Sequence, residues 1–141
     1  MTTAQQWLDL AARIEAATGA DRELGRELLL ACGWTKTQVG HFLGPLYGWT
    51  SPDKATYFQD DNFVREKHDP TASLDAAMKL VPEGLAFAVA TIRNGAPDDW
   101  DDSVCSAVVA QRDGVEARSD ATTPALALCA AACRARAGME G

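Results

Sequence analysis

His41, His68 and the four cysteines Cys32, Cys105, Cys129 and Cys133 are the residues of this 141-residue chain best suited to acid–base, nucleophilic or metal chemistry. Neither imidazole has a carboxylate or a nucleophile at the spacing a hydrolase or metal motif uses, so both read as exposed loop histidines. No two cysteines form a C-x-x-C pair. Cys129 and Cys133 share one helical face, but a structural zinc site takes four ligands at recognisable spacing, so the cysteines read as reduced, small apolar core residues. The run Asp98-Asp99-Trp100-Asp101-Asp102 offers oxygens to a hard cation without the glycine-anchored loop and closing Glu of a cation frame, and reads as a solvated loop. Glycine motifs that cradle phosphate or form a nucleophile elbow are absent. These residues nominate no catalytic group, no metal and no cofactor. They point to binding in preference to catalysis.

The aromatic residues are distributed unevenly. Trp34, Phe42, Tyr47, Trp49, Tyr57, Phe58 and Phe63, seven of the ten, lie within 34–70. Apolar periodicity vanishes there, and Gly44-Pro45, Gly48, Ser51-Pro52-Asp53 and Asp69-Pro70 mark turns, so the stretch reads as a mostly looped excursion. A loop this long inside a compact domain usually has a role. One reading is that the rings pin the excursion onto the core, since each buries a large apolar area. The other is a rim of rings around a binding surface, with Tyr47, Trp49, Tyr57 and Phe58 as anchors for a protein partner. A third possibility belongs to a different class: the rings stack the base of a small nucleotide-like ligand, and Lys54, Arg65 or Lys67 meets its phosphate. The net charge of −7 speaks against duplex nucleic acid, which requires a basic stripe.

The elements that must position these residues can be read from caps and spacing. Trp7, Leu10, Ala11, Ile14 and Ala17 recur at helical intervals behind a Thr3/Gln6 capping box, which predicts a helix over 4–18. Asp21 caps a second helix with Leu24, Leu28 and Ala31 on one face, ending at Gly33, so residues 1–33 form a helical hairpin. Leu74, Ala77, Met78 and Val81 make a short helix stopped by Pro82. In 85–92 the bulky Leu85, Phe87 and Val89 alternate with alanines, which predicts a strand whose two faces are both covered. Val104–Gln111 and Val115–Ser119, joined by Asp113-Gly114, extend it to a three-stranded antiparallel sheet. Thr123 as N-cap and Pro124 at the first helical position start the last helix. The expected domain is single, 1–141, with a 71–138 α-β-β-β-α core.

Two runs also carry a family likeness. Thr71-Ala72-Ser73-Leu74-Asp75-Ala76-Ala77-Met78-Lys79-Leu80-Val81-Pro82-Glu83-Gly84 and Ala121-Thr122-Thr123-Pro124-Ala125-Leu126-Ala127-Leu128-Cys129-Ala130-Ala131 resemble the phage "ABA sandwich" domain family. Leu10-Ala11-Ala12-Arg13-Ile14-Glu15-Ala16-Ala17-Thr18-Gly19, with Asp21-Arg22-Glu23-Leu24, resembles the amino-terminal part of such proteins, while roughly 35–70 stays outside the likeness. The resemblance implies an α+β fold, an α-β-α sandwich with a small three-stranded antiparallel sheet covered by helices, and a phage or prophage origin. It carries no catalytic residue. The partner is then a host or phage protein, with a small nucleotide-type ligand of host defence signalling as the alternative. Alanine-rich helical surfaces also suit a homo-oligomeric structural or assembly component. A start without signal-peptide regions and the lack of a run near the roughly 20 apolar residues of a membrane span lead to an expectation of no membrane and of the bacterial host's cytoplasm.

Overall fold

Local signals set the helix starts. In the computed structural model, which describes residues 2–60, 68–82, 84–93, 103–110 and 116–140, α1 (Ala4–Ala16) opens on the expected capping box. The Gln6 amide donates to Thr3 Oγ1 at 3.2 Å and the Thr3 amide to Gln6 Oε1 at 2.7 Å. Asp21 accepts the Leu24 amide at 3.2 Å at the head of α2 (Arg22–Ala31). Ser73 does the same for α3 (Leu74–Met78), and Thr123 accepts the Leu126 amide at 3.2 Å in α4 (Pro124–Glu140). Each cap satisfies an amide that the helix leaves without an intrahelical partner.

Between the helices the chain forms two antiparallel three-stranded sheets. The first is β1 (Thr35–His41), β2 (Pro45–Thr50) and β3 (Tyr57–Gln59), in that order. The second is β4 (Phe87–Arg93), β5 (Ser103–Ala110) and β6 (Glu116–Ala121), the antiparallel succession expected for this part of the chain. The first sheet corrects the reading of 34–70 as mostly loop. Its strands are short, β1 is exposed along nearly its whole length, and β2 contains Pro45 and Gly48, so no alternation of buried and exposed residues marks it. Pro45 opens β2, the strand position that tolerates a missing amide.

The main core lies where α4 meets the second sheet. Cys105, Ala107, Val109, Ala117, Ser119 and Ala121 form the buried face of β5 and β6. Every residue of α4 from Ala125 to Cys133 is buried, which requires neighbours all round the helix rather than along one stripe. Those neighbours are β5 and β6, α1 with Trp7, Leu10 and Ile14, and α3 with Ala77. Alanines let the backbones approach, and the Arg134 guanidinium ties α4 to Glu15 of α1 and, through Nε at 3.1 Å, to Ser119 of β6. On the opposite sheet face Ala88 and Ala90 are exposed. Among the described residues that face meets solvent, contrary to the expectation that both faces are covered. The 98–102 acidic run and Asp113-Gly114 lie outside the described residues. No helix of the described residues is long and apolar enough to cross a membrane.

Candidate functional site

The first sheet carries most of the aromatic segment, and the pleat sorts its rings. Cross-strand pairing puts Lys36, Trp49 and Phe58 in one row and Thr35, Thr50 and Tyr57 in the next, on the opposite face. Trp49 and Phe58 are buried together with Leu29 of α2, and Trp34 packs against them. The Phe58 ring lies 5.6 Å from Trp34 and 6.4 Å from Trp49, and it stacks on the His68 imidazole at 3.9 Å with planes 4° apart. His68 is thus a half-buried stacking partner rather than an exposed loop residue. Trp49 and Phe58 cannot serve as exposed anchors, because the sheet turns them inward onto α2. Their role in this structure is to fix the sheet.

A polar knot closes the same face. Arg26 of α2 forks onto Asp60, with Nε to Oδ1 at 3.1 Å and Nη2 to Oδ2 at 3.0 Å, and the Trp49 indole N–H donates to Asp60 Oδ1 at 2.7 Å. Burial pushes the Asp60 carboxyl up, but the bonds from Arg26 and Trp49 and the charges of Arg26 and Lys36 outweigh it, leaving the group below the usual carboxylate range. The Lys36 ammonium sits 4.6 Å from the Tyr47 ring centroid and 5.6 Å from that of Trp49. Tyr47, Pro45, Leu46, Gln59 and Asp60 line a shallow recess of about 140 Å³.

The other candidate residues are dispersed. Tyr57 is exposed and lies across Gly48, where an added Cβ would come within 2.5 Å of its hydroxyl oxygen. Lys54 is exposed in the turn after β2, at φ 62°, held by Ser51 and Asp53. In that turn the Ser51 hydroxyl donates to Asp53 Oδ1 at 2.6 Å, and the Thr56 amide donates to Ser51 Oγ at 3.0 Å. Arg65, Lys67 and Phe63 lie outside the described residues. His41 is exposed at the end of β1. Among the described residues no group of His, Cys, Asp and Glu is placed to hold a metal ion.

The most exposed apolar surface belongs to residues that the aromatic reading did not single out as anchors. The β1–β2 hairpin ends in Phe42, 74% exposed, and Leu43, 95% exposed, flanked by the exposed Val39 and Leu46. The tip is held by the Phe42 amide donating to the Gly44 carbonyl at 2.9 Å, with Leu43 at φ 55° and Gly44 at φ 139°. A left-handed leucine is uncommon and costs on the order of 1 kcal/mol. The available signal in the sequence was the apolar pair Phe42-Leu43 set directly before the Gly44-Pro45 turn, a place that polar residues normally fill. The chain matches no family model, no curated protein and no solved structure.

Proposed function

We propose that this chain is a non-catalytic phage or prophage protein that acts by binding a host or phage protein, with the β1–β2 hairpin as the contact element. One observation carries the reading: Phe42 and Leu43 stand almost fully in water at the tip of a hairpin whose base is anchored by Trp49, Phe58 and the Arg26–Asp60 pair. Contiguous apolar side chains on an anchored hairpin are the anatomy of an interface anchor, and their burial in a partner's pocket supplies the driving force. Tyr47, exposed next to Leu46 on β2, extends the contact with a ring that retains a polar tip. The phage origin and the α-β-α sandwich rest on the resemblance of 71–84 and 121–131, and α4 lying on the second sheet is compatible with half of such a sandwich.

The test is affinity capture from bacterial host and phage-infected lysates with the intact chain and with a Phe42→Asp/Leu43→Asp variant. A partner retained by the first and lost by the second, with equal melting temperatures, supports the reading. Identical partner sets overturn the hairpin as the contact. A second reading, capture of a small nucleotide-type ligand, draws on the recess beside Tyr47 with Lys36 over the ring. Native mass spectrometry separates the two, because a retained small molecule that fragments to a nucleobase belongs only to the second.

A further inference from the structure

A larger recess opens among the helices, and none of its lining residues comes from the hairpin. Its volume is about 360 Å³, and its walls include Trp7 of α1, Leu30 and Cys32 at the end of α2, and Arg136 and Met139 at the end of α4. A second recess of about 440 Å³ shares Thr2, Leu30 and Ala31 with it and runs between α1 and α2 toward Asp9 and the Arg13–Glu27 ion pair. Each lies toward the lower end of the range for small-molecule sites.

Arg136 sets the chemistry. Its Nε donates to the Leu80 carbonyl at 2.9 Å and its guanidinium carbon lies 5.4 Å from the Trp7 ring centroid, so one edge is fixed and one face is packed. The other partly buried arginines are closed by carboxylates, Arg26 by Asp60 and Arg134 by Glu15. Arg136 has no carboxylate partner among the described residues, and its terminal nitrogens have no hydrogen-bond acceptor there. Beside this cation the mixed wall, which includes Thr2 and Cys32, carries two exposed aliphatic side chains, Leu30 at 53% and Met139 at 60%. A guanidinium held against an indole, with its fork unfilled, is complementary to a planar carboxylate.

We propose that this recess binds a small monoanionic amphiphile, its carboxylate on Arg136 and its aliphatic body over Leu30 and Met139. The adjoining recess explains the single charge. Asp9 and Glu27 line it, and the one cation on its wall among the described residues, Arg13, is already engaged by Glu27, so a polyanion extending that way meets repulsion. An uncharged ligand would leave the guanidinium unfilled. The ligand class therefore differs from the protein partner proposed for the hairpin, and the two sites are tested separately.

Decanoate is the probe, titrated into the intact chain and followed by calorimetry and by the fluorescence of the tryptophans. The expected result is saturable one-to-one binding that weakens at least tenfold when decanol replaces decanoate. The same loss is expected in Arg136→Gln, which keeps a donor for the Leu80 carbonyl, and in Leu30→Glu. Leu30 is half in water, so its replacement reads the site even where the arginine variant melts early. Absence of saturable binding at millimolar decanoate overturns the proposal. Decanol binding as tightly as decanoate, or undiminished decanoate binding by Leu30→Glu, overturns it as well.

Discussion

Asp60 and Asp69 show how one residue type takes opposite roles. Asp60 is held below the usual carboxylate range, because its bonds to Arg26 and Trp49 outweigh a burial that would raise it. Asp69 is raised: burial dominates, and the two bonds Oδ1 accepts from the Thr71 amide at 2.9 Å and hydroxyl at 2.7 Å only oppose it. Its Oδ2 has no partner among the described residues. A depressed carboxylate adds stability that is present above its unfolded pKa, about 3.9, and is lost as pH falls through the folded value. A raised carboxylate adds stability that is present below that unfolded value and is lost as pH rises through the folded one. Denaturant melts from pH 2.5 to 8 should therefore show a flattened acid limb for Asp60→Asn and a smaller loss of stability above about pH 4 for Asp69→Asn. Unchanged pH profiles would remove these two roles. The cysteines differ by depth in the same way. Cys105, Cys129 and Cys133 are buried and Cys32 is half-buried; burial raises the Cys32, Cys129 and Cys133 thiols, with the Arg136 charge opposing it at Cys32. Native alkylation with iodoacetamide should label Cys32 first and reach the other three only on unfolding, as read by peptide mass.

The hairpin is the element where geometry and proposed use meet. Leu43 keeps a left-handed backbone that Gly adopts freely. Leu43→Gly is expected to leave stability unchanged or raise it by up to about 1 kcal/mol, while capture of the partner weakens at least tenfold. Equal capture would show that the leucine side chain is not the anchor. Gly48 has a different reason, since the Tyr57 ring occupies the space a Cβ needs. The obstructing atoms are the far end of an exposed side chain, so Gly48→Ala should displace Tyr57 at a cost under about 1 kcal/mol, visible as a changed tyrosine environment in NMR. Turn chemistry made the hairpin's reversal readable at Gly44-Pro45. The strands on either side were not readable, because β1 buries almost nothing and so writes no alternation into the sequence.

At the scale of the whole molecule, α2 joins two unequal cores. Leu24 and Leu28 enter the large cluster around α4, whereas Leu29, one residue on, joins Trp49 and Phe58 beneath the first sheet. Among the described residues this cluster has three buried members and holds its sheet far less firmly than the larger one holds α4. Hydrogen exchange followed by mass spectrometry should find β1–β3 exchanging well before α4. Leu29→Ala should accelerate exchange in the first sheet alone, and Leu28→Ala should lower global stability by about 2–5 kcal/mol. Loss of protection in both regions together for Leu29→Ala would mean one cooperative unit.

What the sequence determined by itself is what depends on neighbours a few residues away. The Thr3/Gln6 box, the Asp21 cap, the Thr123-Pro124 start and the antiparallel succession β4-β5-β6 are all of this kind. The helical stripes of α1 and α2 were readable for the same reason, as spacing alone states which residues share a face. Tertiary structure decided which rings of 34–70 face inward. Trp49 and Phe58 are buried because β2 and β3 pair in a register that sets both over Leu29, and Asp60 is held below the usual carboxylate range because Arg26, 34 residues earlier, and the Trp49 indole reach it. It likewise decided that Arg136 has no carboxylate among the described residues while Arg134, two residues before it, holds Glu15. Burial and charge pairing depend on which distant surfaces meet, and no local spacing encodes that meeting.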